Sequence, residues 1–174
     1  MVENLQVTNR LEFERRLMGG IYDWTWMYSQ LFRRIGGLPQ GRTLDVGSYD
    51  ERYARWLPSQ NVQAEVISVD IREFDNSSER FIRASAGALP FDDNTFDHVV
   101  SIGAFPWFKT REVDQETALR EMVRVATNTI MIWPVEADVM LLPSINSKFH
   151  FEILSVLDDD PFNGSGYILT NAAP

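Results

Sequence analysis

Residues Thr43 to Leu57, TLDVGSYDERYARWL, have the pattern of a β-strand followed by a tight turn and the start of an α-helix. The apolar run at the beginning of the stretch breaks at Gly47, and a helix is expected over Glu51–Leu57, ended by Pro58. In open α/β sheets, ligands bind at such a junction, because free backbone N–H groups and the helix dipole face a crevice there. The stretch therefore predicts a binding site at the carboxyl end of this strand.

Two aspartates mark the predicted site. Asp45 lies within the first strand, where burial of a carboxylate is costly and therefore informative. Asp70 ends a second apolar run, about 23 positions after Gly47. An acid at that distance is where nucleoside-binding sheets hold the ribose, because one carboxylate accepts both hydroxyl protons. The alternative for Asp70 is a structural role as the cap of the turn that follows the strand.

A third motif follows, in which the LPF of residues 89–91 precedes the FD of residues 96–97 and an apolar run. The three motifs resemble, in their order and spacing, those of the class I S-adenosylmethionine-dependent methyltransferases, and the resemblance covers about residues 40–135. It implies S-adenosylmethionine as the cofactor and methyl transfer as the activity. It also implies an α/β fold with a doubly wound, mostly parallel, Rossmann-like sheet, an antiparallel C-terminal strand pair and N-terminal helices.

The resemblance further implies which residues contact the cofactor. The turn at Gly47 would pass under the methionyl part, Asp70 would hold the ribose, and Ile71 would lie against the adenine face. A loop after the third strand would contact the adenine edge, and the end of the fourth strand would lie beside the sulfonium. The candidate cofactor-binding residues are Asp45, Gly47, Ser48, Tyr49, Asp70, Ile71, Ser85, Ala86 and Ser101.

The glycine turn departs from the pattern of the family. Tyr49 and Glu51 stand where the family has its second and third glycines, so that Tyr49 brings a side chain to the place of close backbone approach. Either the turn runs differently and Ser48, Tyr49 and Asp50 contribute side chains, or the pocket is partly closed. The first possibility agrees with methyl transfer. The second favours a non-catalytic methyltransferase-like module that serves in binding or assembly.

Apolar runs and amphipathic segments predict the remaining elements. Strands are expected at Thr43–Val46, Val66–Asp70, Phe81–Ala84, Asp97–Ile102, Thr129–Trp133, Phe149–Leu157 and Tyr167–Thr170. A second helix is expected at Glu112–Ala126, with an exposed pair of Glu116 and Arg120. The connection from the second to the third strand is too short for a full crossover helix, so that either the helix there is reduced to a turn or the third strand is marginal. At the turn after the second helix, relatives usually carry a glycine pair, and Asn128 tolerates the left-handed conformation expected there.

The chain, residues 1–174, is interpreted as a single methyltransferase-like domain, since no repeat or linker divides it. Residues 1–40 are expected to form a helical cap, residues 41–135 the cofactor-binding core, and residues 136–174 the closing strands. Helical spacing of apolar residues extends over 8–36, with a break at Gly19-Gly20, and a short helix is expected at Val139–Leu142. The N-terminal helices either cover the cleft as a lid or pack Trp24 and Trp26 on the sheet or on the second subunit of a homodimer.

Composition narrows the class of partner. A net charge of −9 argues against a nucleic-acid ligand, which requires clusters of lysine and arginine. The absence of cysteine excludes disulfides, and with two histidines no metal site is expected. No apolar run approaches the length of a membrane span, and the N-terminus lacks a signal core. These observations favour a cytoplasmic protein that acts on a small-molecule acceptor, either a metabolite or a sugar-like compound.

The sequence identifies no catalytic base. Methyl transfer depends mainly on positioning, because the sulfonium is already activated. Of the two histidines, His98 is expected to be structural because it lies within a strand, and His150 has no assigned role. The aromatic cluster at residues 105–108, FPWF, either faces the acceptor or fills space beneath its own loop.

Overall fold

In the computed structural model, the described residues are 24–34, 36–72, 77–111, 113–135, 149–154 and 165–171, and they contain seven strands of one sheet. The strands are β1 Gly41–Val46, β2 Ala64–Asp70, β3 Phe81–Arg83, β4 Phe96–Ile102, β5 Ala126–Val135, β6 Phe149–Leu154 and β7 Ser165–Asn171. Their order across the sheet is β3-β2-β1-β4-β5-β7-β6. Strands β1 to β5 pair in parallel, and β7 lies antiparallel between β5 and β6. The predicted fold class, a mostly parallel Rossmann-like sheet with an antiparallel C-terminal pair, is confirmed.

Helices cover both faces of the sheet. They are α1 Trp24–Arg34, α2 Arg52–Ser59 and α3 Gln115–Val125, and a 3-10 helix spans Phe105–Arg111. On β1, Leu44 and Val46 pack into the core that α3 closes. Asp45, which alternates with them, is directed to the opposite face, beneath α1 and α2. The order of the strands reverses at β1, so that the carboxyl ends of β1, β2 and β4 meet at the switch point where such sheets bind ligands.

An aromatic cluster joins α1 to α2 on this second face. The ring of Tyr28 meets that of Tyr53 edge-on at 5.4 Å, and Phe32 stacks on Trp56 at 5.9 Å. All four rings are buried. The predicted apolar face is therefore confirmed for the described part of the N-terminal segment, and it packs on α2. Residues 8–23, the side chain of Trp26, the helix expected at Val139–Leu142 and the strand end at 155–157 lie outside the described residues.

Several strand ends differ from the prediction by one to three residues, and two helix boundaries and one turn differ for identifiable local reasons. Helix α2 contains Pro58 and continues to Ser59, because its last turn is closed by the Ser59 hydroxyl, which donates to the carbonyl of Trp56. Helix α3 begins three residues later than predicted, after Asp114, whose carboxylate accepts from the N–H of Thr117 as an N-cap. The left-handed turn expected at Asn128 is absent among the described residues with positive φ. Strand β5 starts at Ala126, directly after α3.

The marginal third strand, one of the two predicted alternatives, is confirmed. Strand β3 has three residues and pairs in parallel with the end of β2, where Val69 stands opposite Ile82. Of its connection to β2, residues 73–76 lie outside the described part.

No helix among the described residues is long and apolar enough to cross a membrane.

The loop at residues 89–91 is fixed by α3. The guanidinium of Arg124 donates to the carbonyls of Leu89 at 3.0 Å and Phe91 at 2.7 Å. It also pairs with Glu121, which accepts from the N–H of Leu89 at 2.8 Å. Phe91 meets Phe96 edge-on, and Leu89 is buried. This motif is therefore a packing and hydrogen-bonding anchor between β4 and α3.

We predict that Arg124→Gln lowers the free energy of unfolding by about 1–3 kcal/mol, because the two loop carbonyls and Glu121 lose a charged donor. Arg120→Gln on the same helix is the matched control. It removes a pair with Glu116 whose side chains are about half exposed, and should cost no more than about 0.5 kcal/mol. Urea denaturation of both variants measures the difference, and equal losses would contradict the anchoring role of Arg124.

Candidate functional site

A cleft with a volume of about 280 Å³ opens at the carboxyl ends of β1, β2 and β4. It is lined by the turn after β1, the end of β2, the segment after β3 and the segment after β4, with Trp24 and Tyr28 of α1. Six of the residues predicted from sequence line it: Gly47, Ser48, Tyr49, Asp70, Ile71 and Ala86. Asp45, Ser85 and Ser101 do not.

The turn after β1 has a left-handed backbone at three alternate positions. Gly47 has a φ of 77°, Tyr49 a φ of 53° and Glu51 a φ of 60°. A side chain in this conformation costs about 1–2 kcal/mol, which is why glycine usually occupies such positions. The turn therefore keeps a glycine-like backbone at the two positions where glycine is missing.

Backbone amides of this turn bind the turn to β2. The N–H groups of Gly47 and Ser48 both donate to the carbonyl of Val69, at 2.7 and 3.0 Å. The N–H of Tyr49 donates to Oδ2 of Asp70 at 3.0 Å. These hydrogen bonds offset the backbone strain, and they leave the side chains of the turn to face the cleft.

Glu51 adds a further link from the turn to the segment that leads into β3. Its side chain is buried, and its carboxylate accepts from both the backbone N–H and the hydroxyl of Ser78. A glycine at this position could not make these contacts. The departure from the family motif at Glu51 therefore has a structural explanation.

The carboxylate of Asp70 is buried at the mouth of the cleft and accepts three hydrogen bonds. Besides the N–H of Tyr49, the backbone N–H of Arg72 donates to Oδ1 at 2.9 Å and the Nε of Arg72 donates to it at 3.3 Å. A carboxylate has about four acceptor sites, so one remains for a ligand while the Arg72 side chain stays in place. Asp70 thus has the capping role that was its alternative, and it also faces the cleft.

Two arginines that sequence reasoning missed line the cleft, and both lie close to the ring of Tyr49. The guanidinium of Arg72 lies 4.7 Å from the centre of the Tyr49 ring, and that of Arg52 lies 5.9 Å from it. Arg52 is also 5.4 Å from the ring of Trp24 and donates through Nε to Asp50 at 2.6 Å. For Arg52, the sequence signal of this ion pair was its position two residues after Asp50, at the start of the predicted helix.

Asp45 lies beneath the cleft instead of lining it. Burial raises the pKa of this carboxyl from 3.8 to about 8, with further contributions from Asp70, Glu51 and Asp50. The buried hydroxyl of Tyr53 lies in the same region, and the Asp45 carboxylate adds to the rise in its pKa that burial causes. Asp45 is therefore largely neutral at pH 7 in the folded chain.

The two predicted serines serve the fold in this structure. The hydroxyl of Ser85 accepts from the N–H of Gly87 at 3.2 Å and so stabilises its own turn. Ser101 is fully buried in β4, where it stands opposite Ile132 of β5. Neither serine is among the residues that line the cleft.

The aromatic segment after β4 combines both predicted alternatives. Phe105 is buried and meets Phe108 edge-on at 5.5 Å, as expected of side chains that fill space beneath a loop. Trp107 and Phe108 line the cleft. His98 interacts through Nδ1 with the hydroxyl of Thr129 on β5, and burial lowers its pKa, in agreement with a structural role. The side chain of His150 lies outside the described residues.

The profile of the methyltransferase domain family matches residues 44–129. Comparison with curated protein sequences gave no match. Among solved structures, a chain from the Haloferax volcanii complex between the Trm112 methyltransferase activator and a protein assigned as a methyltransferase superposes with a TM-score of 0.66. It is 16% identical over 95% of this chain and 96% of its own length.

Two further structures share the fold. The 1,6-didemethyltoxoflavin-N1-methyltransferase of Burkholderia thailandensis, solved with its acceptor and S-adenosylhomocysteine, has a TM-score of 0.60 at 16% identity, over 97% of this chain and 88% of its own. A SAM-dependent methyltransferase of Aquifex aeolicus has a TM-score of 0.53 at 16% identity, over 85% and 88%. The sheet order and cleft define a methyltransferase fold. Together with the domain match over residues 44–129, they support a class I S-adenosylmethionine-dependent methyltransferase, with S-adenosylmethionine as its cofactor.

We predict that the stability of the protein falls between pH 5 and pH 8 relative to Asp45→Asn. The folded chain keeps the Asp45 proton up to about pH 8, whereas the unfolded chain releases it near 3.8, so rising pH favours unfolding through this window. At pH 5 the two proteins should be similar, and at pH 8 the variant should be more stable by about 1–3 kcal/mol. Urea denaturation at both pH values measures this difference. A difference that does not change with pH would contradict the raised pKa.

Proposed function

We propose that the chain, acting as a single domain, binds S-adenosylmethionine in the cleft and transfers its methyl group to a small-molecule acceptor. The observation that carries this proposal is the buried Asp70 carboxylate at the end of β2, beside a cleft at the switch point of a methyltransferase sheet. The similar fold of an enzyme solved with a small-molecule acceptor supports the choice of acceptor class.

The lining of the cleft fits a nucleoside at the end of β2. Among the described residues, Ile71 is a large hydrophobic residue that is exposed, with 41% of its surface accessible, and it directly follows Asp70 in the chain. An apolar surface beside a carboxylate matches a flat base attached to a ribose. Ala86, across the cleft, would place backbone near the edge of the base. The Arg72 side chain is 38% exposed and would turn away from Asp70 to free a second acceptor site.

The lining also contains polar atoms without partners. The hydroxyl of Ser48 and Oδ1 of Asp50 are buried, and neither has a hydrogen-bond partner in the described part of the chain. Buried polar atoms are normally satisfied, so both indicate a ligand or water at this point. The residues present therefore fit a cofactor with a polar end as well as a nucleoside.

The bound cofactor would supply a methyl group already activated for transfer. The chain's own residues would hold the two reactants in line and exclude water, which supplies most of the rate in such reactions. Trp107 and Phe108 form an aromatic wall suited to a flat apolar acceptor. Burial raises the pKa of the Tyr28 hydroxyl well above its usual range, so that Tyr28 remains protonated and is a poor base. The described lining therefore favours an acceptor that is nucleophilic without help from the protein.

A second candidate is a non-catalytic module that binds or assembles with a protein partner. It is favoured by the occupation of Asp70 by Tyr49 and Arg72, which restricts access to the nucleoside position. The similar chain from Haloferax volcanii occurs in a complex with a methyltransferase activator, which agrees with a protein partner for this chain as well. Cofactor binding distinguishes the two candidates.

We predict that S-adenosylmethionine and S-adenosylhomocysteine bind with a micromolar dissociation constant, corresponding to about −8 kcal/mol. Asp70→Ala should weaken binding about tenfold to a hundredfold, because a charge-assisted hydrogen bond to the ribose is lost. The matched control is Asp92→Ala, which removes an exposed acid from a loop away from the cleft and should leave affinity unchanged. Calorimetric titration of the folded proteins gives these values. The absence of binding to either ligand would reject the enzyme and favour the second candidate.

A further inference from the structure

We propose that the side chains of Asp50, Arg52 and Ser48 bind the amino-acid end of the cofactor, and that Tyr49 separates this position from the nucleoside position. The inference rests on the proposed function. It assigns to three side chains a task for which the backbone amides of the turn are not available.

Most backbone N–H groups of the turn already donate hydrogen bonds within the fold. Those of Gly47, Ser48 and Tyr49 donate to Val69 and Asp70, and that of Glu51 donates to the carbonyl of Ser48 at 3.0 Å. An N–H that donates within the fold is not offered to the carboxylate of a ligand. These four amides of the turn are therefore engaged within the fold, and the side chains that line the cleft are left as the main contacts for a ligand.

The charges of Asp50 and Arg52 are complementary to those of the amino-acid end of the cofactor. The amino-acid end of S-adenosylmethionine carries one ammonium group and one carboxylate, and Asp50 with Arg52 present one carboxylate and one guanidinium. Both side chains line the cleft and are 34% exposed. Asp50 uses Oδ2 for Arg52, whereas its Oδ1 is buried without a partner among the described residues. This oxygen is free to accept from an ammonium group.

Ser48 supplies an independent observation. Its side chain is 8% exposed, it lines the same part of the cleft, and its hydroxyl has no hydrogen-bond partner in the described chain. A hydroxyl can accept from an ammonium group or donate to a carboxylate. An ammonium group at this place would donate to both orphaned oxygens, those of Ser48 and Asp50, which an apolar ligand would not.

Arg52 is suited to bind the carboxylate at the amino-acid end of the cofactor. It is the first residue of α2, where the positive end of the helix dipole adds to the charge of the guanidinium. Its Nε–H is directed to Asp50, and the planar group carries four more N–H donors in a fork that matches a carboxylate. Stacking against Trp24 and Tyr49 fixes the orientation of that fork.

Both charged pairs lie near one ring, that of Tyr49. Arg72, paired with Asp70, lies over Tyr49 at 4.7 Å, and Arg52, paired with Asp50, lies near the same ring at 5.9 Å. The cleft thus offers one carboxylate for a ribose and, beyond Tyr49, a carboxylate and a guanidinium for a zwitterion. S-adenosylmethionine has these two groups at its two ends.

The test compares two ligands on the full chain. S-adenosylhomocysteine has the amino-acid end, whereas 5′-methylthioadenosine has the same nucleoside and sulfur without it. Dissociation constants of both are measured for the unaltered protein, Arg52→Gln, Asp50→Asn and Arg55→Gln. Arg55 is the matched control, because it is on the same helix and 4.0 Å from Asp50, but its side chain is 64% exposed and does not line the cleft.

We expect the unaltered protein to bind S-adenosylhomocysteine about tenfold or more tightly than 5′-methylthioadenosine. Arg52→Gln and Asp50→Asn should each weaken S-adenosylhomocysteine about tenfold to a hundredfold and leave 5′-methylthioadenosine within about twofold. Arg55→Gln should change neither. Binding of 5′-methylthioadenosine shows at the same time that each variant is folded.

Four results would overturn the inference. Equal weakening of both ligands by Arg52→Gln would indicate a structural role, and no weakening would place the amino-acid end elsewhere. Equal affinity of the unaltered protein for the two ligands would show that the amino-acid end is not held, while the nucleoside site would stand. Binding of neither ligand would also reject the proposed function.

Discussion

The Asp70 carboxylate connects the parts of this cleft. It accepts from the N–H of Tyr49 in the turn after β1 and from the N–H of Arg72 just beyond β2. The carboxyl ends of two neighbouring parallel strands are thereby held at a fixed distance. Because a buried carboxylate is tolerated only when it is hydrogen-bonded, the same contacts that build the turn also stabilise Asp70 at the mouth of the cleft. Fold and candidate site therefore depend on one group.

This arrangement explains how the turn keeps its shape without two glycines. Tyr49 and Glu51 adopt left-handed backbones that cost free energy, and each makes a contact that glycine could not. The ring of Tyr49 supports two arginines, and the carboxylate of Glu51 binds Ser78. In the altered motif, contacts made by side chains thus replace contacts that the backbone of the turn would make. The cleft gains two ion pairs, and access to the turn amides is lost.

The sheet could be predicted because its apolar runs are long and are separated by clear turns. Asp70 and Gly47 were also predictable, since their roles depend on position at the end of a strand. Arg72 was not, because a long charged side chain gives no sequence signal of which ring or carboxylate it will meet. For Arg52, the spacing from Asp50 was a signal of the ion pair, but not of the contacts with the rings of Trp24 and Tyr49. Asp45 was predicted to line the site and instead lies beneath it, since the alternation of β1 directs it under α1 and α2.

Boundaries were predicted less well than elements, and the reasons are individual contacts. The start of α3 depends on the side chain of Asp114, and the end of α2 depends on the hydroxyl of Ser59. At Asn128 the family pattern suggested a glycine-like turn, but β5 begins directly after α3 and pairs with β4. A family motif indicates where a turn is usual, and pairing with the neighbouring strand decides whether it forms.

The central claim is that this turn still admits the cofactor, and a crystal structure of the protein grown with S-adenosylhomocysteine tests it most directly. The account predicts ligand density in the cleft, with a ribose hydroxyl within hydrogen-bonding distance of Asp70 and the Arg72 side chain turned away from that carboxylate. A structure in which a saturating concentration of the ligand leaves the cleft empty, with Arg72 still bonded to Asp70, would contradict it.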